Sequence, residues 1–209
     1  TPLAVLKLHL EALEHNLVSD PQSTYKVLNQ RLDNLNLLIS DIYELAQADT
    51  GTLTLQLESV PAEELFNELA GQVEDILCEH DLHLEVKKVD TPLSELSVDK
   101  ARLHQVIANL SRNSIHYTDK PGEVCFALSQ TESDVILSFS DSSPGVSEQD
   151  LPHLFERLFR CDKSRSRDLG GSGLGLSICE KVIEAHGGRI SAAQSELGGL
   201  KIEISLPKQ

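Results

Sequence analysis

Apolar residues recur at alternating steps of three and four through Leu3, Leu6, Leu10, Leu13 and Leu17, the spacing of a coiled-coil seam along one helix. Turn chemistry at Ser19, Asp20, Pro21 and Gln22 interrupts the run. Leu28, Leu32, Leu35, Ile39, Ile42 and Ala46 then resume it until Gly51. The first fifty residues therefore predict a helical hairpin. Two helices carry too little core to stand alone, so the seam predicts a partner, most simply a second copy completing a four-helix bundle. Packing of the hairpin on the chain's own downstream domain is the other arrangement the pattern allows.

After Gly51 the period changes to two. Leu53-Thr54-Leu55-Gln56-Leu57 and Leu82-His83-Leu84-Glu85-Val86 alternate as strands do. Between them, 61–79 reads as a helix, with Pro61 near its first turn and Glu63 and Glu64 complementing its dipole. A second long helix is predicted over 99–117, and strands over 123–130 and 135–140. A polar stretch then runs to Ser172, followed by a helix over about 174–186 and two closing strands, 189–193 and 200–206. Mixed order with short hairpin-like links argues for an α+β layer sandwich rather than a doubly wound sheet. The expected division is a helical hairpin over 1–52 and an α/β sandwich domain over 53–209.

The chain has 209 residues, of which 40% are hydrophobic, enough for a real core. Eighteen Lys and Arg against 33 Asp and Glu give a formal charge of −15. That balance disfavours nucleic acid or an anionic membrane as a partner held by overall charge. No run approaches the ~18 apolar residues of a membrane span. Methionine is absent, even from position 1, so the chain reads as a segment excised from something longer. Cys78, Cys125, Cys161 and Cys179 lack zinc-site or disulfide spacing and read as small buried hydrophobes.

Four stretches carry chemistry. Gly170-Gly171-Ser172-Gly173-Leu174-Gly175-Leu176 precedes an amphipathic helix, whose free N-terminal amides attract phosphate. Its spacing fits neither a dinucleotide fingerprint nor a Walker loop, and alone it reads equally as a glycine hinge. Asn109 and Asn113 lie four apart on one helix face and offer amide oxygens suited to magnesium, although such pairs are more often solvated surface. Asp141-Ser142-Ser143-Pro144-Gly145 ends an apolar strand, and its carboxylate either accepts from an exocyclic amine or simply starts a turn. Finally, Phe155 and Phe159 lead into Arg157, Arg160, Lys163, Arg165 and Arg167. This is either a small apolar helix with a basic face or a lid whose cations meet a polyphosphate.

In this order the four stretches resemble the N box, first glycine box, F box and second glycine box of sensor histidine kinases, a branch of the Bergerat-fold ATPases. The resemblance extends to the N-terminus. Thr1-Pro2-Leu3 is similar to the end of the phosphoacceptor motif His-Glu/Asp-Leu-Arg-Thr-Pro-Leu, and the hairpin is similar to the dimerisation domain that carries it. Asn113-Ser114 with Tyr117-Thr118-Asp119, Asp141-Ser142 with Pro144 to Ser147, and 170–177 look most like the envelope-stress sensors of this family.

The resemblance implies that Asp141 recognises the adenine amino group, with Gly145 turning the backbone beside the base. It implies that Asn109 and Asn113 hold Mg2+ and that His116 and Tyr117 flank the nucleotide. Gly171, Ser172, Gly173, Leu174, Gly175 and Leu176 would close over the ATP phosphates, with Arg165 or Arg167 as lid cations. The implied activity is transfer of the ATP γ-phosphoryl group to a histidine preceding Thr1, then to an aspartate of a response regulator, with Thr1 at a position used in phosphatase chemistry. The implied setting is a homodimer in the cytoplasmic part of an inner-membrane bacterial sensor, attached to the membrane only through upstream segments. Ser143, where the family has glycine, and the missing histidine leave open a nucleotide-binding dimer or degraded kinase that scaffolds without transfer. Arg112 adds a positive charge where acidic or small polar residues are common.

Overall fold

The computed structural model describes residues 2–15, 20–50, 53–89, 94–161 and 173–209. Two compact units divide the chain, residues 1–46 and 47–209.

In the first unit, α1 (Pro2–Glu14) is followed by α2 (Pro21–Asp49). Pro21 opens α2, where a missing N–H breaks no hydrogen bond, and Asp20 Oδ1 accepts from the Gln22 amide at 3.1 Å. Leu6 and Leu28 of the apolar seam are buried, whereas Leu10, Leu32, Ile39 and Ile42 are exposed on the single chain. The seam position Leu17, the turn residue Ser19 and Gly51 lie outside the described residues.

The second unit runs β1 (Glu58–Pro61), α3 (Ala62–Leu77), β2 (Leu82–Lys88), β3 (Glu95–Val98), α4 (Lys100–Tyr117), β4 (Gly122–Gln130) and β5 (Asp134–Ser142). A short 3-10 turn (Leu151–His153), α5 (Gly175–Ala185), β6 (Arg189–Gln194) and β7 (Gly198–Pro207) complete it. The main sheet has the order β2-β4-β5-β7-β6, and β1 and β3 form a separate antiparallel ribbon. Within the main sheet only β2 and β4 pair in parallel.

One face of the sheet makes the core. Phe126, Phe139 and Ile202 sit in register across β4, β5 and β7, as do Leu128, Leu137 and Ile204, and all six are buried. Phe66 of α3 stacks on Phe126 with ring centroids 4.8 Å apart, so the helices lie on this face. Alternate residues such as Cys125, Ser138 and Lys201 are only half-buried, as expected of a sheet covered on one side.

The ends of α4 and α5 are tied together. Asp99 caps α4 by accepting from the Arg102 amide at 3.1 Å and also accepts from the Gln56 amide at 2.9 Å. The Asp99 amide donates to Nε2 of the buried His186 at 3.0 Å, and His186 Nδ1 donates to the Val182 carbonyl at 2.7 Å.

Some sequence expectations need correction. Residues 53–57 form no strand despite their alternation, because no neighbouring strand supplies a ladder and the Gln56 amide is spent on Asp99. The first strand lies just beyond, at 58–61, and pairs with 95–98, a segment too short to announce itself by periodicity. Residues 155–160 form turns rather than a small helix. The cysteines are not uniformly buried: Cys179 is buried and Cys125 half-buried, but Cys78 and Cys161 are exposed.

Candidate active site

Asp141 stands where the alternation of β5 calls for a core residue, on the same sheet face as Phe139, and is 9% exposed. Its carboxylate is held from two sides. Ser114 Oγ of α4 donates to Oδ2 at 2.6 Å, and the Leu200 amide of β7 donates to Oδ1 at 2.7 Å. The second bond depends on an irregularity in the β5–β7 ladder. Ser140 pairs with Lys201 and Ser142 with Gly198, so two steps on β5 are opposed by three on β7. This bulge turns the Leu200 amide from the ladder to the carboxylate. Gly199 makes the approach possible, since a Cβ there would lie 2.4 Å from Asp141 O, Asp141 Oδ1 and Ser142 O. Burial raises the Asp141 carboxyl above its ordinary range, and the bonds from Ser114 and Leu200 partly offset it.

A small, partly open cleft lies beside this carboxylate, lined by Leu110, Asn113, Ser114, Phe139, Asp141, Leu176, Leu200 and Ile202. Its walls are apolar, and Asn113, Ser114 and Asp141 supply the polar groups. Thr118, just past the end of α4, is buried. Asp141 counts Thr118 among the groups that hold its charge, so this hydroxyl lies close to the carboxylate.

Asn113 thus reaches the cleft, four residues along α4 from Asn109. Asn109 is buried instead against α5: its Nδ2 donates to the Gly175 carbonyl at 3.4 Å, and its Oδ1 accepts from Arg112 Nη2. The family-implied metal finds a suitable donor set here, two neutral amide oxygens one turn apart, of which the Asn109 oxygen already attracts a cation.

Leu174 occupies the N-cap position of α5, Gly175 is the helix's first residue and Leu176 lines the cleft. Gly173 has φ +71° and accepts from the Leu158 amide at 2.9 Å, which joins the start of α5 to the Phe155–Phe159 stretch. Gly145 lies against Gln194, Gly198 and Gly199, where a Cβ would come to 3.0 Å of Gln194 Oε1. Ser143 is accommodated, since its φ is not positive, and its carbonyl accepts from the Asp119 amide at 2.8 Å.

His116 and Tyr117 do not line the cleft. His116 Nδ1 donates to the Arg112 carbonyl at 2.6 Å, and Tyr117 is exposed at the end of α4. Thr1, Arg165, Arg167, Gly171 and Ser172 lie outside the described residues. Sequence reasoning missed Ser114, Thr118, Gly199 and Leu200. The Gly198-Gly199 pair inside an alternating strand was the available sign of close backbone approach.

An apolar slot ending in a buried, doubly held carboxylate, with a helix N-terminus beside it, is thus the candidate site of this α/β sandwich. Residues 98–209 match the family described as histidine kinase-, DNA gyrase B-, and HSP90-like ATPase, and the chain belongs to that family. It is 38% identical over 207 residues to the signal transduction histidine-protein kinase BaeS of Escherichia coli K12, covering 99% of this chain and 44% of that protein. The chain therefore spans less than half the length of this curated relative. The Acinetobacter baumannii histidine kinase AdeS shares the fold with a TM-score of 0.79 at 22% identity, over 100% of this chain and 96% of that one. Histidine kinase ThkA, solved in complex with the response regulator TrrA, gives 0.77 at 23% identity, over 100% and 58%.

Proposed function

We propose that the chain is the catalytic core of a two-component sensor histidine kinase. It binds ATP in the cleft beside Asp141 and transfers the γ-phosphoryl group to a histidine of the phosphoacceptor motif whose closing residues Thr1-Pro2-Leu3 resemble. From there the group passes to an aspartate of a response regulator. Residues 1–52 act as the dimerisation hairpin and 53–209 as the ATP-binding domain, on the cytoplasmic side of a membrane sensor.

The observation that carries this reading is the meeting of Asn113, Asp141 and Leu176 in one cleft. Asp141 accepts from the adenine amino group, while Ser114 and the Leu200 amide keep the carboxylate oriented. The Thr118 hydroxyl, buried beside it, supports the fit by offering one more polar group. Leu110, Phe139, Leu176 and Ile202 exclude water from the base. The N-terminus of α5 presents amides to the phosphates. Asn109 and Asn113 would hold Mg2+, which when bound neutralises phosphate charge during transfer. The exposed apolar residues Leu10, Leu32, Ile39 and Ile42 support a second copy at the hairpin.

Calorimetric titration with the non-hydrolysable analogue AMPPNP in Mg2+ tests binding. Radiolabelled ATP added to the longer protein with the phosphoacceptor motif tests transfer, and acid-labile, alkali-stable label on a histidine is the expected result. Tight binding without any label would reduce the reading to a nucleotide-binding scaffold, and no binding would remove it.

A further inference from the structure

We infer that Arg112 is a built-in competitor for the metal: its guanidinium holds the Asn109 side-chain oxygen and must leave before a divalent cation can use that oxygen. The inference rests on the assignment of Asn109 and Asn113 as the metal-binding pair.

The geometry of α4 places the contest at a single atom. Asn109, Arg112, Asn113 and His116 follow at i, i+3, i+4 and i+7, so all four project from neighbouring positions of one helix face. The Asn109 side chain is buried, and its two ends are both committed. Nδ2 points to the Gly175 carbonyl at the start of α5, so Oδ1 is the end that remains for a cation, and Arg112 Nη2 donates to it. An amide oxygen bound this way carries a full positive charge at contact distance. Mg2+ cannot share the position, because two cations on one oxygen repel strongly wherever water is scarce.

His116 Nδ1 donates to the Arg112 carbonyl, a backbone contact that leaves the guanidinium free to move without disturbing the helix. Among the described residues no carboxylate forms an ion pair with Arg112, and its guanidinium donates to Asn109. An acidic or small residue at position 112 would leave the Asn109 oxygen open at all times. Arginine makes opening conditional on the metal and the phosphates that accompany it. Arg112 is therefore a positioning residue acting through Asn109, and it sets the Mg2+ concentration at which the nucleotide complex closes.

The test titrates Mg2+ into the full chain preloaded with AMPPNP and reads the midpoint of the metal-dependent change, for wild type, Arg112→Met and Arg112→Lys. Both replacements are unbranched helix formers, so α4 persists. The expected result is a midpoint about tenfold lower in Arg112→Met, the change that loss of roughly one charge-assisted hydrogen bond produces. Arg112→Lys keeps the charge and stays within about threefold of wild type. A midpoint equal to or above wild type in Arg112→Met overturns the inference, as does a shift of equal size in both variants. A measurement on the unaltered chain guards against a folding defect: the Arg112 guanidinium N–H signals in a nitrogen-15 NMR spectrum are protected from exchange without metal and lose protection when Mg2+ and AMPPNP are added. Unchanged protection overturns the inference as well. If wild type fails to bind AMPPNP at all, the proposed function falls and this inference with it, whereas binding without a midpoint shift removes this inference alone.

Discussion

Ser114 Oγ donates to Asp141 Oδ2 at 2.6 Å, joining the helix that carries both asparagines to the strand that carries the buried carboxylate. Helix and strand are thereby fixed to one another at the floor of the cleft. Ser114→Ala removes the only one of the two close donors that comes from a side chain, leaving the Leu200 amide at 2.7 Å. The expected cost is about 1–3 kcal/mol of stability, that of a hydrogen bond lost to a charged group. Nucleotide affinity falls with it, because the carboxylate is no longer aimed. Urea unfolding and AMPPNP titration check both, and a variant that loses stability but keeps full affinity would separate Ser114 from the site.

Asp141 carries an opposite balance of stability and function. Burial raises its carboxyl above the ordinary value of 3.8, and the hydrogen bonds only partly offset this. A carboxyl raised in the folded state binds its proton more tightly there than in the unfolded chain. Its contribution to stability is then full below the ordinary value and is lost as pH rises through the folded one. Asp141→Asn removes that dependence. At neutral pH the variant is expected to be at least as stable as wild type, while nucleotide affinity drops by about tenfold or more for want of a charged acceptor. The stability gap closes as pH falls toward 3.8. A gap that instead widens on acidification would mean that the hydrogen bonds outweigh burial.

Glycine positions give a paired prediction. At Gly199 a Cβ would lie 2.4 Å from three oxygens of Asp141 and Ser142, all but one of them backbone. Gly199→Ala should cost about 1–3 kcal/mol and push the bulge off the carboxylate, so that affinity falls too. Gly71 is on the exposed side of α3 with nothing near its Cβ position. Gly71→Ala should stabilise by about 0.5–1 kcal/mol and leave affinity unchanged. Thermal unfolding of the two variants side by side is the measurement.

Strands β4, β5 and β7 were legible in the sequence because each has one buried face, so their alternation reports a real environment. The same alternation at Leu53 to Leu57 misled, since periodicity marks amphipathicity and cannot show whether a partner strand exists. The parallel pairing of β2 with β4 was not legible either, because it depends on contacts between residues some forty apart. At the site, residues set by side-chain chemistry, Asn113 and Asp141, could be read directly. Ser114 and Thr118 support Asp141 through helix geometry, and Leu200 does so through a backbone amide that any residue carries. Such roles exist only once the β5–β7 bulge is known.

The two carboxylate oxygens of Asp99 do different work. Oδ1 caps α4 through the Arg102 amide, and Oδ2 holds the Gln56 amide of the segment that precedes β1. Asp99→Asn keeps one acceptor for the cap and presents an amino group where Gln56 needs an oxygen. Asp99→Ala removes both. The cap alone accounts for about 1 kcal/mol, and the part-buried bond to Gln56 adds a further ~1 kcal/mol or more, as hydrogen bonds to charged groups do. The expected order of stability is therefore wild type, then Asn, then Ala, with roughly equal steps. Hydrogen exchange at the Gln56 amide resolves the two contributions: it accelerates in both variants, while the Arg102 amide accelerates in Asp99→Ala alone. Equal acceleration of Arg102 in both would mean that the cap needs the charge and not merely an oxygen.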